Sequence, residues 1–396
     1  MGRRYLLFLL IFLGMLSAFG PFVTDMYLPV LPRMSEIFHC PVSTAQLGLT
    51  MSLIGLAAGQ LLFGPLSDKY GRKPVLGASL AMFVLSTIVI LFSPTMEWFN
   101  LCRLFQGIGG AGGIVLSRSI ATDYYSGREL AKILAVIGAI NGIAPVASPV
   151  VGGIVASFTG WRGIFVILLC IGFVLTALCM IFRESHPQQR RNKSGVFASF
   201  TSFVSLWRLP YFRIYCMMFA FANGILFAYI SSASFIIQNH YEASPLVFSL
   251  CFAVNSIFIG IGSGLSVRIK STSRAAIVGA IILLTMSAVQ LAVGYFYDNI
   301  ALYEILTIAT LTGLGFVFTA STTLAMTEGR SYVGAASALF GALGFLFGGL
   351  VSPLVGIGNI LHSTQTAMLI CAVIILLLAI PTIRRKEGTA ALGARA

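Results

Sequence analysis

Gly64-Pro65-Leu66-Ser67-Asp68-Lys69-Tyr70-Gly71-Arg72-Lys73-Pro74 joins two long apolar runs, 45–66 and 74–94, and crowds three bases and an ion-pairing spacing into one short connection. Gly71 can adopt the positive φ that a tight turn requires. Pro74 suits the first turn of a following helix. Asp68 stands four residues before Arg72, within reach of a charge-assisted pair across the turn. Read alone, the segment is a positively charged hairpin loop between two antiparallel helices.

The runs on either side set the scale. A bilayer span takes roughly 20 mainly apolar residues, and runs of that order fall at 5–28, 45–66, 74–94, 98–120, 131–156 and 161–182. After a polar interval come 212–238, 243–267, 275–296, 300–326, 332–356 and 364–383. The 396 residues are 58% hydrophobic and 9% charged, whereas a soluble domain carries about a quarter charged residues. Buried helices of a soluble protein would be shorter and separated by many charges. The expectation is an all-α membrane protein of twelve transmembrane helices.

Charge sets the expected orientation. With the N-terminus inside and twelve alternating spans, all 25 Lys and Arg except Arg33, Arg103 and Arg162 fall at inside ends or inside loops. By the positive-inside rule both termini are then cytoplasmic. The net charge of +13 has a topological explanation, and no aromatic-basic groove calls for nucleic acid. Arg3-Arg4 before an apolar run mimics a signal peptide, but the run is long and lacks a small-residue cleavage site before Asp25, so it reads as a retained first span. The seven cysteines and four histidines are dispersed without metal-ligand spacing. No phosphate-binding glycine loop stands in a strand–turn–helix context. An enzyme is not expected.

The interval 183–211 separates an N-terminal bundle, 1–182, from a C-terminal one, 212–396. Two six-helix bundles suggest parallel repeats, with substrate bound near midplane at their interface. A weak echo supports duplication: Gln106-Gly107-Ile108-Gly109 answers Thr312-Gly313-Leu314-Gly315.

Several polar or small-residue features lie within spans. Asp25 is a rare acid; by helix rise it is about 30 Å along the first span, which allows either a solvated position at the outer interface or a cavity position. Arg103 in Arg103-Leu104-Phe105-Gln106-Gly107 lies near the outer edge, where it either snorkels to headgroups or turns inward. Gly138, Gly142, Pro145, Pro149 and Gly152 form a stripe at helical spacing in the fifth span, a face that permits close helix approach and whose prolines can bend the helix. Glu304 reads as a solvated interface glutamate. Asn141, Asn223 and Tyr229 are candidates to line a cavity or to join helices.

The 64–74 segment resembles the loop signature of the major facilitator superfamily, and the Arg-x-x-Gln-Gly pattern and the fifth-span stripe resemble that superfamily's further motifs. With Asp25-Met26-Tyr27-Leu28-Pro29-Val30-Leu31-Pro32, the set is similar to the Bcr/CflA-like branch of bacterial drug:proton antiporters. The resemblance implies the major facilitator fold in a bacterial inner membrane. It implies a conformational latch at Gly64, Asp68, Gly71, Arg72 and Lys73, proton coupling at Asp25 and Arg103, and a cavity-facing Asp25 in contact with substrate; Tyr27, Asn141, Asn223 and Tyr229 join it as candidate substrate contacts on their position in or beside the spans. The stripe Gly138, Gly142, Pro145, Pro149 and Gly152 would seal the bundle interface. Arg118 and Asp123 would act as gate or cap residues; five positions apart, they face different ways on a helix. The second half departs from the pattern, since Ser266-Val267-Arg268-Ile269-Lys270 keeps the bases without the acid.

The implied function is efflux of small, largely apolar drugs in exchange for protons, by alternating access of a monomer, with no cofactor beyond the proton gradient and with membrane lipids as surroundings. The competing reading is an exporter or facilitator of a small metabolite such as a siderophore, sugar or organic acid, sharing fold and loop motif.

Overall fold

The computed structural model describes residues 3–125, 127–187, 196–330 and 333–384, and among these every regular element is helical. The first half comprises α1 (Arg3–Asp25), a 3-10 turn at Leu28–Val30, α2 (Leu31–Ile37), α3 (Val42–Tyr70), α4 (Arg72–Leu91), α5 (Met96–Tyr124) and α6 (Gly127–Ile181). After α7 (Val196–Trp207) come α8 (Pro210–Phe235), ending in a π-turn at Ile236–His240, then α9 (Pro245–Val267) and α10 (Thr272–Phe296). The chain closes with α11 (Ile300–Glu328), α12 (Val333–Val351) and α13 (Ile360–Arg384).

Ten described helical stretches are long and apolar enough to cross a membrane. α5 has the length but not the hydropathy, because Arg103, Gln106 and its glycines dilute the apolar run. α6 counts twice, since Gly160 interrupts it at φ 66° and ψ −165°, a conformation that disfavours residues with a Cβ. Twelve spanning segments result among the described residues, at the places the apolar runs indicate. One element was not expected: the interval 183–211 holds the helix α7, whose Leu206 is buried.

Glycine lets the helices of each bundle approach to backbone contact. A Cβ on Gly107 of α5 would lie 2.2 Å from the Ser52 carbonyl of α3, and one on Gly55 would meet the Leu104 carbonyl equally closely. In the second half, Gly262 of α9 abuts the Thr312 carbonyl and Gly315 of α11 abuts the Ile259 carbonyl. Helices in lipid associate by packing rather than by hydrophobic exclusion, so small residues at the contact are what permits this.

The bundle of α1–α6 and that of α8–α13 meet along α3 with α12 and α6 with α9. The even number of spans places the start of α1 and the end of α13 on one side, the terminus face. At the opposite, far face the bundles are tied together. Gln46 Nε2 donates to the Ser231 carbonyl at 3.0 Å, Gln238 Nε2 to the Pro29 carbonyl at 3.0 Å, and Ser249 Oγ to the Pro149 carbonyl at 3.3 Å.

Candidate functional site

Between the bundles, below this far-face seal, lies a cavity of about 370 Å³ lined by Thr24, Asp25, Pro145, Asn223, Phe227 and Phe252, among others. Its walls are mainly apolar. Asp25 is the only ionisable residue lining it among those described. A second lobe of about 530 Å³ shares Pro21, Asn223 and Phe345 and continues toward the terminus face past Gln60, Arg118 and Ser337. Together they have the dimensions of a site for a small organic molecule.

The end of α1 delivers Asp25 to this cavity. Helix geometry stops at Asp25, but the chain does not leave the protein there; it runs on through the 3-10 turn into α2. Asp25 is therefore interior, 4% exposed, and the solvated interface position is excluded. Its Oδ1 is buried with no hydrogen-bond partner. A buried carboxylate anion without a partner is costly, and a proton or a bound cation relieves that cost. The Thr24 hydroxyl donates back to the Gly20 carbonyl at 3.2 Å and supports the turn beside Pro21.

Arg103 sits in the interior of the first bundle, 0% exposed, which excludes snorkelling. It forms no ion pair with Asp25. Instead Nη2 donates to the Val23 carbonyl at 2.9 Å and Nε to the Gly48 carbonyl at 3.4 Å, while Nη1 donates to Gln106 Oε1. Val23 is in the last turn of α1, where carbonyls lack helical partners and a cation is favoured. The guanidinium also lies 4.4 Å from the centre of the Tyr27 ring, a cation–π contact. Gln106 Nε2 continues to Thr87 Oγ1 at 2.8 Å. Arg103 thus holds the turn carrying Asp25 from behind rather than through its carboxylate.

Tyr27 requires a correction as a substrate contact. Two residues past Asp25, it points the opposite way, into the first bundle, packed among Arg103, Phe99 and Phe165. Tyr229 likewise stands one layer behind the cavity, stacked on the lining residue Phe252 with ring centres 5.8 Å apart. Asn223 lines both lobes, its Nδ2 donating to the Phe219 carbonyl at 2.9 Å. Asn141, with Gly138 and Gly142, lies outside the residues whose side-chain surroundings are described. Of the remaining stripe, Pro145 lines the cavity and Pro149 accepts from Ser249 across the interface. Gly152 faces its own bundle, against the Met26 carbonyl, whereas Gly153 faces Ser249 of α9.

At the terminus face the α3–α4 connection nucleates an ion cluster. Gly71 turns at φ 101°, bringing Arg72 against Asp68 at 2.6 Å and Asp123 at 3.0 Å. Asp68 is 48% exposed and Asp123 only 14%, so solvent screens the first pair far more than the second. Lys73 Nζ donates to the Met180 carbonyl at 2.7 Å. Gly64 lies in ordinary contact with Val115. Sequence reading missed Glu184, which accepts from the backbone N–H groups of Arg72 and Lys73 at 2.9 and 3.1 Å; a carboxylate at a helix start complements the free amides there. Its only sequence signal is an acid just after the sixth span. Arg118 and Asp123 do face apart: Asp123 joins the cluster, while Arg118 reaches Ser337 Oγ of α12 at 3.4 Å.

Glu304 also departs from its sequence reading. It is drawn into the second bundle, where Asn255 Nδ2 donates to Oε1 at 2.8 Å and to the Tyr229 hydroxyl at 2.9 Å.

Comparison with known proteins agrees with this architecture. The chain is 36% identical over 360 residues, 88% of either chain, to the uncharacterized MFS-type transporter YdgK of Bacillus subtilis (strain 168). It is 29% identical to the bicyclomycin resistance protein homolog of Haemophilus influenzae, over 65% of each chain. A bacterial homolog of the human lysosomal transporter Spinster, solved inward-facing and unoccupied, superposes with a TM-score of 0.76 at 16% identity over 96% of both chains, a likeness of fold alone. The Major Facilitator Superfamily profile matches residues 7–353. The chain belongs to the Major Facilitator Superfamily, a family of membrane transporters rather than enzymes.

Proposed function

We propose that the protein is a proton-coupled antiporter that exports small, largely apolar compounds, drugs among them, across the bacterial inner membrane by alternating access. The observation that carries the proposal is Asp25: a lone carboxylate with a partnerless oxygen in an otherwise apolar cavity between the two bundles. Such a cavity binds by shape and apolar contact, and its single acid gives proton and substrate a place to compete. With the terminus face cytoplasmic, the tied far face and the lobe running past Arg118 correspond to a state that loads substrate from inside. The resistance protein homolog among the relatives supports drugs as cargo.

In this reading Arg103 is a positioning residue. It fixes the α1 terminus, so Asp25 presents the same geometry whether or not it carries a proton. The ion cluster around Arg72 stabilises the first bundle on the side that opens. The proton gradient is the only energy source invoked.

The test is drug-evoked proton release in proteoliposomes containing an internal pH dye, comparing wild type with Asp25→Asn. Proton release with wild type and a clear loss of it with the variant, whose drug binding persists, is the expected result. No proton movement with any drug, accompanied by passage of a metabolite down its own gradient, would overturn antiport in favour of a facilitator.

A further inference from the structure

We propose that the second bundle contains its own proton-binding site, centred on Glu304 and distinct from Asp25. The site joins three helices: Tyr229 from α8, Asn255 with Cys251 one turn before it from α9, and Glu304 from α11. Asn255 is 0% exposed, and its amide nitrogen is committed twice, to Glu304 Oε1 and to the Tyr229 hydroxyl. That leaves two buried acceptors, Asn255 Oδ1 and Glu304 Oε2, without a donor. Buried polar atoms are nearly always partnered, so two orphans of the same kind in one cluster indicate a missing donor. One proton on the carboxyl makes Oε2 a donor and removes a charge that no described base balances.

The surroundings supply no alternative cation. α12 carries no titratable side chain between Val333 and Val351, and the only charged residue of α10 is Arg274, at its inner end. Tyr303 adjoins Glu304 on α11, with the Tyr241 ring tilted against it, ring centres 5.8 Å apart. The hydrogen bond between His240 Nε2 and Asp298 Oδ1, 2.8 Å, is made at the far face, away from Glu304. No described base is paired with Glu304.

The cluster is also connected to the transport cavity. Phe252 and Ser256 of α9 line that cavity, while Asn255 between them faces the cluster, and Tyr229 stacks on Phe252. A change of protonation at Glu304 therefore acts one side chain behind the wall that touches cargo. The inference rests on the antiport reading for its transport consequence, though not for the existence of the site.

Infrared spectroscopy of the protonated carboxyl stretch, titrated by pH in the purified full-length protein, separates the two. Glu304→Gln is expected to delete one titrating carboxyl band that Asp25→Asn retains, with unchanged thermal melting showing an intact fold. In proteoliposomes the same Glu304→Gln variant is expected to release about half as many protons per drug, because each linked site contributes separately. A full set of titrating bands in Glu304→Gln would overturn the inference. So would discharge of the Glu304 band by sodium at fixed pH, which would make this a metal-cation site. Should Asp25→Asn keep full drug-evoked proton release while the Glu304 band behaves as expected, the Asp25 reading fails and the Glu304 site stands.

Discussion

The two bundles share a scaffold and differ in where they place charge. In each, paired glycines bring two helices to backbone contact, α3 with α5 and α9 with α11. In each, a Gln–Thr hydrogen bond joins the next pair, Gln106 to Thr87 at 2.8 Å and Gln290 to Thr307 at 3.0 Å. The first bundle adds a buried guanidinium and an ion cluster on the terminus face. Where the first also buries the Asp25 carboxylate, the second adds the half-buried Glu304, and its α9–α10 connection carries only exposed bases, Arg268, Lys270 and Arg274. The shared parts are those that hold helices together in lipid. The divergent parts are those that can change state.

Breaking the shared part should hurt both bundles alike. Gly107→Val and Gly315→Val each force a side chain into a space where even a Cβ lies 2.2 or 2.1 Å from a carbonyl oxygen. Each is expected to cost about 3 kcal/mol, the upper range for overpacking, read as loss of folded protein in detergent melts. A large loss for one variant alone would show that the bundles are not built on equivalent contacts.

Breaking the divergent part should separate them. Arg72→Ala removes two carboxylate partners and is expected to reduce drug efflux about tenfold, equivalent to about 1.4 kcal/mol of shifted conformational balance. Arg268→Ala, its counterpart in the loop without an acid, is expected to stay within about twofold of wild type, as for an exposed charge. Equal losses would assign the second loop a latch of its own.

A third pair of substitutions sharpens the comparison. Gln106→Leu strips a partner from buried Arg103 and should cost about 2 kcal/mol, as for a bond to a charged group. Gln290→Leu breaks a neutral pair whose Oε1 is already unpartnered, and should cost about 1 kcal/mol or less. The difference between the two melts measures what the buried cation adds to the common scaffold.

The scaffold was legible in the sequence because spans, charge bias and the Gly71 turn are local. The weak glycine echo does not hold position by position, because the contacts of its two glycines are exchanged. Gly107 contacts α3 and Gly109 contacts α4, whereas Gly313 contacts α10 and Gly315 contacts α9. The site was less legible, because side-chain direction near a helix end depends on what the chain does next. Asp25 lies inside only because the 3-10 turn and α2 continue past it, and the same turn sends Tyr27 away from the cavity. Arg103 invited pairing with the nearest acid, but unpartnered carbonyls at the end of α1 hold it instead. Glu304 sits only four residues into its helix, a position that reads as solvated until α9 supplies Asn255.

The far-face seal is made of amide and hydroxyl groups donating to backbone carbonyls, with no net charge on either partner. Ions in solution screen charge–charge attraction within about 10 Å at 0.1 M salt and leave neutral bonds nearly untouched. The cluster around Arg72 weakens as salt rises, while the far-face ties hold. Ionic strength is thus a one-sided lever on this molecule, loosening the terminus face while the far face stays tied.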